Sequence, residues 1–171
     1  MIEQQNTHIR KGLVIALIMV LLDIILQLTH QKQQPWILYL NRGILLAGVV
    51  IAVQLRVGEA EEKIQFSNLF SYGFKASVVT VCILFLYNIL SIYLLFPGAI
   101  TDLYNQSVAQ ARKMEGFNAA KIAENKEMAI KVIRISTLSW VVMFNLAVGI
   151  AGALIGAIIK LLTGSTRIIK K

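Results

Sequence analysis

The sequence predicts an all-α integral membrane protein: a four-helix bundle with an amphipathic helical segment between spans three and four. Three observations predict it. Long apolar stretches fill most of the 171 residues, and the mean hydropathy is +0.68. Apolar residues make up 57% of the chain and charged residues only 15%, too little charge to cover a water-soluble domain. The charges gather between the apolar stretches, as they do at the flanks of membrane spans. The length allows a single membrane domain over residues 1–171.

Span one covers about 12–28. Arg10 and Lys11 precede it as in a secretory signal, but Asp23 interrupts the stretch. Leu28-Thr29-His30-Gln31 offers no small-residue cleavage site, so the segment reads as a retained span. It is short for a bilayer, and Thr29 and His30 extend it into the interface. The polar turn that follows ends in Pro35, a helix-start proline. Span two covers about 36–55, and the short turn makes spans one and two an antiparallel hairpin.

Arg56 to Lys63 is a charged loop in which Glu59, Glu61 and Glu62 read as a solvated run. Span three covers about 67–96. Phe66, Phe70 and Phe74 recur every four residues, which puts them on one helical face. Pro97-Gly98 stops the helix.

Residues 99–131 form the amphipathic segment. Ile100, Leu103, Tyr104, Val108 and Ala111 make one apolar stripe at helical spacing. Gly116 breaks that run, and Asn118 is an N-cap residue for a second helix carrying Ile122, Ala123, Ala129 and Ile130. That helix runs on into span four, about 133–162. Arg167, Lys170 and Lys171 form a basic tail.

With both termini cytoplasmic, Arg10, Lys11, Arg56, Lys63 and the basic tail lie inside, and the short outer turn holds only Lys32. The outer 99–132 region then carries six basic residues once Arg134 at its edge is counted, against the usual bias, but several are far from the span ends and four acids are interspersed. Trp36 and Trp140 share one interface in this orientation. The expected location is the bacterial inner membrane. The net charge of +8 reads as basic flanks of spans, not as a nucleic-acid surface.

Asp23 and Arg42 are symmetric about the turn between Gln31 and Gln34. In an antiparallel hairpin they reach the same depth, roughly 14 Å from the turn at 1.5 Å per residue. Charge at such depth is expected to be paired. Gln27, one turn from Asp23, joins the same face. The site reading is a proton, ion or substrate site. The structural readings are a register-fixing pair, or an Arg42 that snorkels to the headgroups, and the register-fixing pair is preferred.

Lys75 reads as a lysine snorkelling to the interface, with a lipid-headgroup contact as its functional version. Gly149, Gly152 and Gly156 punctuate span four, and absence of side chains lets helices approach closely there. Packing within the chain's own bundle is preferred to dimerisation, which leaves a homo-oligomer open. Cys82, the single cysteine, reads as a small buried hydrophobe.

No catalytic order, phosphate loop or metal-ligand spacing is visible, so no enzyme, cofactor or metal is expected. His8 and His30 lie in different flanks.

From Lys63 onward the chain resembles a family of small four-span bacterial membrane proteins catalogued as a domain of unknown function. The resembling elements are Ile64-Gln65-Phe66, Tyr72-Gly73-Phe74-Lys75, the Tyr93–Phe96 end before Pro97, the Gly116-Phe117 break and the glycine-rich last span. The first hairpin resembles it only in hydropathy. The resemblance implies a four-span inner-membrane protein and supplies no activity.

The expected function is a non-enzymatic accessory or scaffold subunit of an envelope complex. Its expected partners are membrane lipids and another membrane protein met through the small residues of the spans. The alternative is a small transporter or lipid-handling protein with its polar site at Asp23, Arg42 and Gln27.

Overall fold

A computed structural model describes residues 7–29, 31, 34–58, 65–113 and 125–168. They form five α-helices: α1 (Thr7–Leu28), α2 (Pro35–Gln54), α3 (Phe66–Leu90), α4 (Gly98–Ala111) and α5 (Lys126–Ile168). The helices carry four segments long and apolar enough to cross a membrane. This is the predicted all-α bundle, with α4 as the short segment between spans three and four.

The boundaries follow local rules. Thr29 caps the end of α1 by donating its hydroxyl to the Ile25 carbonyl at 2.9 Å. The turn is stitched by Gln31 N–H to Leu26 O and Gln34 N–H to Gln31 O, both at 3.0 Å. Pro35 then opens α2 at a position where its missing N–H costs nothing. After α2 the chain tightens into one 3₁₀ turn, Leu55–Gly58.

The end of span three is less regular. A wide π turn, Ser91–Leu95, follows α3, closed by Phe96 N–H to Ser91 O at 2.8 Å. Pro97 has no N–H and cannot continue the ladder. It becomes the N-cap of α4, so the predicted stop is where the helix ends. The predicted second amphipathic helix and span four are one continuous helix, α5, beginning at Lys126. The expected break at Gly116, the cap at Asn118, Ile122 and Ala123, the Glu59–Glu62 run, His30 and the last two lysines lie outside the described residues.

The chain divides into two compact units. The first takes α1, α2, α3 up to Leu84 and α5 from Met143. These segments pack as a four-helix bundle around Ile15, Met19, Leu45, Val49, Ala52, Tyr72, Leu84 and Ala153, with Val53, Leu69 and Ala157 as a second cluster. The outward faces are also apolar: Leu13, Leu17, Leu21, Ile51, Ile155 and Ile158 are all exposed. Large aliphatic side chains pointing outward on every helix are the surface expected against lipid acyl chains.

In lipid, apolar burial does not draw helices together, so contact depends on close packing. Small residues supply it. Gly12 of α1 lies against α3, where an added Cβ would stand 2.6 Å from the Ala76 carbonyl oxygen. Ala16, Ala76, Ala153 and Ala157 are fully buried. The Thr80 hydroxyl, also fully buried, donates to the carbonyls of Gly12 and Ala76, each at 3.0 Å.

The second unit, Phe85–Val142, holds the end of span three, α4 and the first part of α5. Ile100 and Tyr104 of α4 are buried, and Val108 is half-buried. The predicted stripe is therefore real along its i, i+4, i+8 line, while Leu103 stays exposed. The Arg134 guanidinium lies over the Tyr93 ring at 5.1 Å, and the Lys126 ammonium over the Tyr104 ring at 5.9 Å.

Cys82 corrects its sequence reading. It is exposed, not buried. Position 82 lies seven residues after Lys75, also exposed, and four before exposed Leu86, so all three mark the outer stripe of α3. An apolar neighbourhood in sequence means lipid here as readily as protein.

Candidate functional site

The α1–α2 hairpin carries the predicted polar residues on its two arms. Gly12, Ala16, Met19, Asp23 and Gln27 follow one another at helical spacing, so Asp23 and Gln27 continue the inward stripe of α1. On α2, Asn41 lies one turn before fully buried Leu45. Asp23 and Arg42 are both half-buried. The Arg42 guanidinium lies over the Phe144 ring of α5, 4.7 Å from its centre. Such a cation–π contact contributes about 0.5–2 kcal/mol, more as the pair is desolvated. It ties the arginine to a third helix, which no sequence spacing announced.

Two amide oxygens in this hairpin, Gln27 Oε1 and Asn41 Oδ1, are buried without a hydrogen-bond partner. Buried acceptors of this kind are uncommon and mark a place where a donor could be received. Asn41 was missed by sequence reasoning. Its signal was an amide beside Arg42 in an otherwise apolar helix.

The glycines of span four have no part in this arrangement. Gly149 faces Ser77 of α3, Gly152 faces the Leu46 carbonyl and Val49 of α2, and Gly156 faces Val53. They are consumed in packing α5 against α2 and α3 of the same chain. Added Cβ atoms at the three positions would stand only 2.5–3.1 Å from those neighbours.

The other end of the bundle holds a cluster that the sequence reading left in pieces. Tyr72 of α3 is buried, at 7% exposure. The Arg56 guanidinium stands 5.0 Å from its ring centre and the Lys11 ammonium 5.2 Å. The His8 ring meets it edge-on, with centroids 6.0 Å apart. The Tyr72 hydroxyl is buried and makes no hydrogen bond. Arg56 also donates to the Asn68 carbonyl, and Lys11 to the Ala52 carbonyl at 3.5 Å. Nearby, Gln54 Nε2 donates to the Gly156 carbonyl at 2.9 Å, and Lys160 Nζ to the Gln54 carbonyl at 3.4 Å. Lys75 is exposed one turn from Tyr72, as a snorkelling lysine would be. Phe66, Phe70 and Phe74 stack along one face of α3 as predicted, with successive centroids 6.0 and 6.2 Å apart.

Among the described residues, no group of three or more His, Cys, Asp or Glu side chains is placed to hold a metal ion.

No curated protein and no solved structure matches this chain. One family model does, over residues 10–164, and its description is "Protein of unknown function (DUF4199)". The match takes in the first hairpin, which the sequence resemblance reached only in hydropathy. Four apolar spans and a family match over nearly the whole chain lead to one conclusion: this multi-pass membrane protein belongs to the DUF4199 family.

Proposed function

We propose that this chain is a non-enzymatic accessory or scaffold subunit of a bacterial envelope complex. In this reading it sits in the inner membrane with both termini in the cytoplasm. The supporting observation is the filled interior of the first unit. Leu45, Val49 and Val53 are fully buried, and the buried hydroxyls of Ser77 and Thr80 are bonded to backbone carbonyls of Phe74, Gly12 and Ala76. These inward positions spend their chemistry on holding helices together. Because the span-four glycines are used internally, a partner would meet the outward aliphatic faces or the exposed side of α4.

Isolation from native membranes at native expression tests the reading. A stoichiometric partner supports it. Repeated recovery of the chain alone counts against it. Orientation is checked by reporter fusions: green fluorescent protein should fluoresce at both termini, and alkaline phosphatase should be active only when inserted after Gln31 or within 99–131.

One observation favours a second reading, a small transporter or lipid-handling protein. The unpartnered oxygens of Gln27 and Asn41 lie in the same hairpin as Asp23 and Arg42. In that reading, substituting Asp23 or Arg42 abolishes function while the protein folds normally.

A further inference from the structure

We propose that the cations around Tyr72 form a binding site for a phosphate ester, the chemistry carried by an anionic phospholipid headgroup. The inference is independent of the subunit reading and concerns the opposite end of the hairpin from Asp23 and Arg42.

The site is assembled from three separate segments. Lys11 comes from α1, Arg56 from the turn after α2, and Tyr72 from α3. Both cationic groups stand close to 5 Å from one ring. A guanidinium and an ammonium are the groups that recognise phosphate, one as a planar fork and one as a point charge. Arg56 has five N–H donors, and the contact with the Asn68 carbonyl uses one nitrogen.

The Tyr72 hydroxyl carries the argument further. A buried phenol normally finds a hydrogen-bond partner. This one has none. A phosphate oxygen is the acceptor it lacks, and the long stems of Lys11 and Arg56 can rearrange to admit one on a fast timescale.

Depth supports the same ligand. Span three is 30 residues long, or about 45 Å at 1.5 Å per residue, against about 30 Å of hydrocarbon. Its ends therefore extend into the headgroup layers. Lys11 and Arg56 lie at the matching ends of spans one and two. Basic pockets between helix ends at this level are where anionic headgroups are held. Glu59, Glu61 and Glu62 follow Arg56 in the chain, so the test includes their substitution.

The test uses the full chain purified in a neutral maltoside detergent and observed by native mass spectrometry. It is titrated with dioleoyl phosphatidylglycerol, with dioleoyl phosphatidylcholine and with inorganic phosphate. The expected result is saturable binding of the glycerol lipid, about tenfold tighter than the choline lipid. Lys11→Gln and Arg56→Gln should each weaken it about tenfold, and Tyr72→Phe about fivefold. Tyr72→Phe removes one oxygen and should leave thermal unfolding unchanged, which guards against simple misfolding. Arg112→Gln, in the other unit, should have no effect. Competition by millimolar inorganic phosphate would show that soluble phosphates enter the site, and its absence would assign the site to lipid. Equal binding of the two lipids without phosphate binding would overturn the proposal. So would native affinity in all three site variants. So would a preference that emerges only in the Glu59→Gln, Glu61→Gln, Glu62→Gln chain, which would give the site to the loop's own acids.

Discussion

Gly149 of α5 lies so close to Ser77 of α3 that a Cβ on residue 149 would stand 2.5 Å from the Ser77 Cβ. The glycine is there because the serine is. Ser77 turns its hydroxyl back onto the Phe74 carbonyl at 2.8 Å, so the serine brings no unpaired polar group to the crossing. Replacing Gly149 with leucine must push α5 off α3. Overpacking of this kind costs about 1–3 kcal/mol. Thermal unfolding in detergent should show a clear loss for Gly149→Leu. Gly43→Ala is the comparison, because nothing lies within 4 Å of a Cβ there. It should be neutral or slightly stabilising, since alanine suits a helix better than glycine. Equal behaviour of the two variants would remove Gly149 from the interface.

Thr80→Val keeps the shape of a fully buried side chain and deletes its hydroxyl. The lost bonds run to Gly12 of α1 and to Ala76 of its own helix. Hydrogen bonds between membrane helices contribute about 0.6 kcal/mol on average and about 1.7 at most. The variant should be destabilised within that range in equilibrium unfolding by sodium dodecyl sulfate. A stability equal to the native chain would mean that packing alone joins α1 to α3 at this point.

Cys82 offers a test of the membrane reading that needs no substitution. It is exposed, yet its surroundings on α3 are those of a lipid-facing stripe. A charged reagent is held out of hydrocarbon by the cost of desolvating its charge. A charged methanethiosulfonate reagent should therefore leave Cys82 unlabelled in intact membranes and label it fully once the chain is unfolded in sodium dodecyl sulfate. Rapid labelling in intact membranes would place water, not lipid, against this face.

Asp23→Asn and Arg42→Gln should each lower protein abundance several-fold, because a change of about 1–2 kcal/mol in stability has that effect in cells. Where the pair fixes the register of the hairpin, the double variant should recover much of the loss. Phe144→Leu should lower abundance less, since it removes only the ring beneath the Arg42 guanidinium. Normal abundance in all variants with loss of growth or transport would favour the polar-site reading instead.

Much of the fold is legible in the sequence. Pro35 and Pro97 mark helix boundaries by sterics that act within a residue or two. The four spans follow from run length, because a backbone crossing lipid must satisfy its own hydrogen bonds and helices do so. The four-residue spacing of Ile100, Tyr104 and Val108 identifies the buried line of α4, which has a polar side to contrast with it.

The spans offer no such contrast. Leu17 and Met19 are both apolar, yet one is exposed and the other buried. Where lipid covers one face and protein the other, hydropathy is the same on both, and periodicity cannot say which turns inward. Cys82 was misplaced for that reason, and the polar signals of Asp23 and Gln27 were legible because they broke the uniformity. By itself the sequence determined the helices and their order, both of which depend on local chemistry. Only the tertiary structure decided that Gly149 meets Ser77, that Arg42 lies on Phe144 and that Lys11 and Arg56 converge on Tyr72. Those outcomes depend on how small side chains let helix backbones close on one another, and that is settled by shape across helices far apart in the chain.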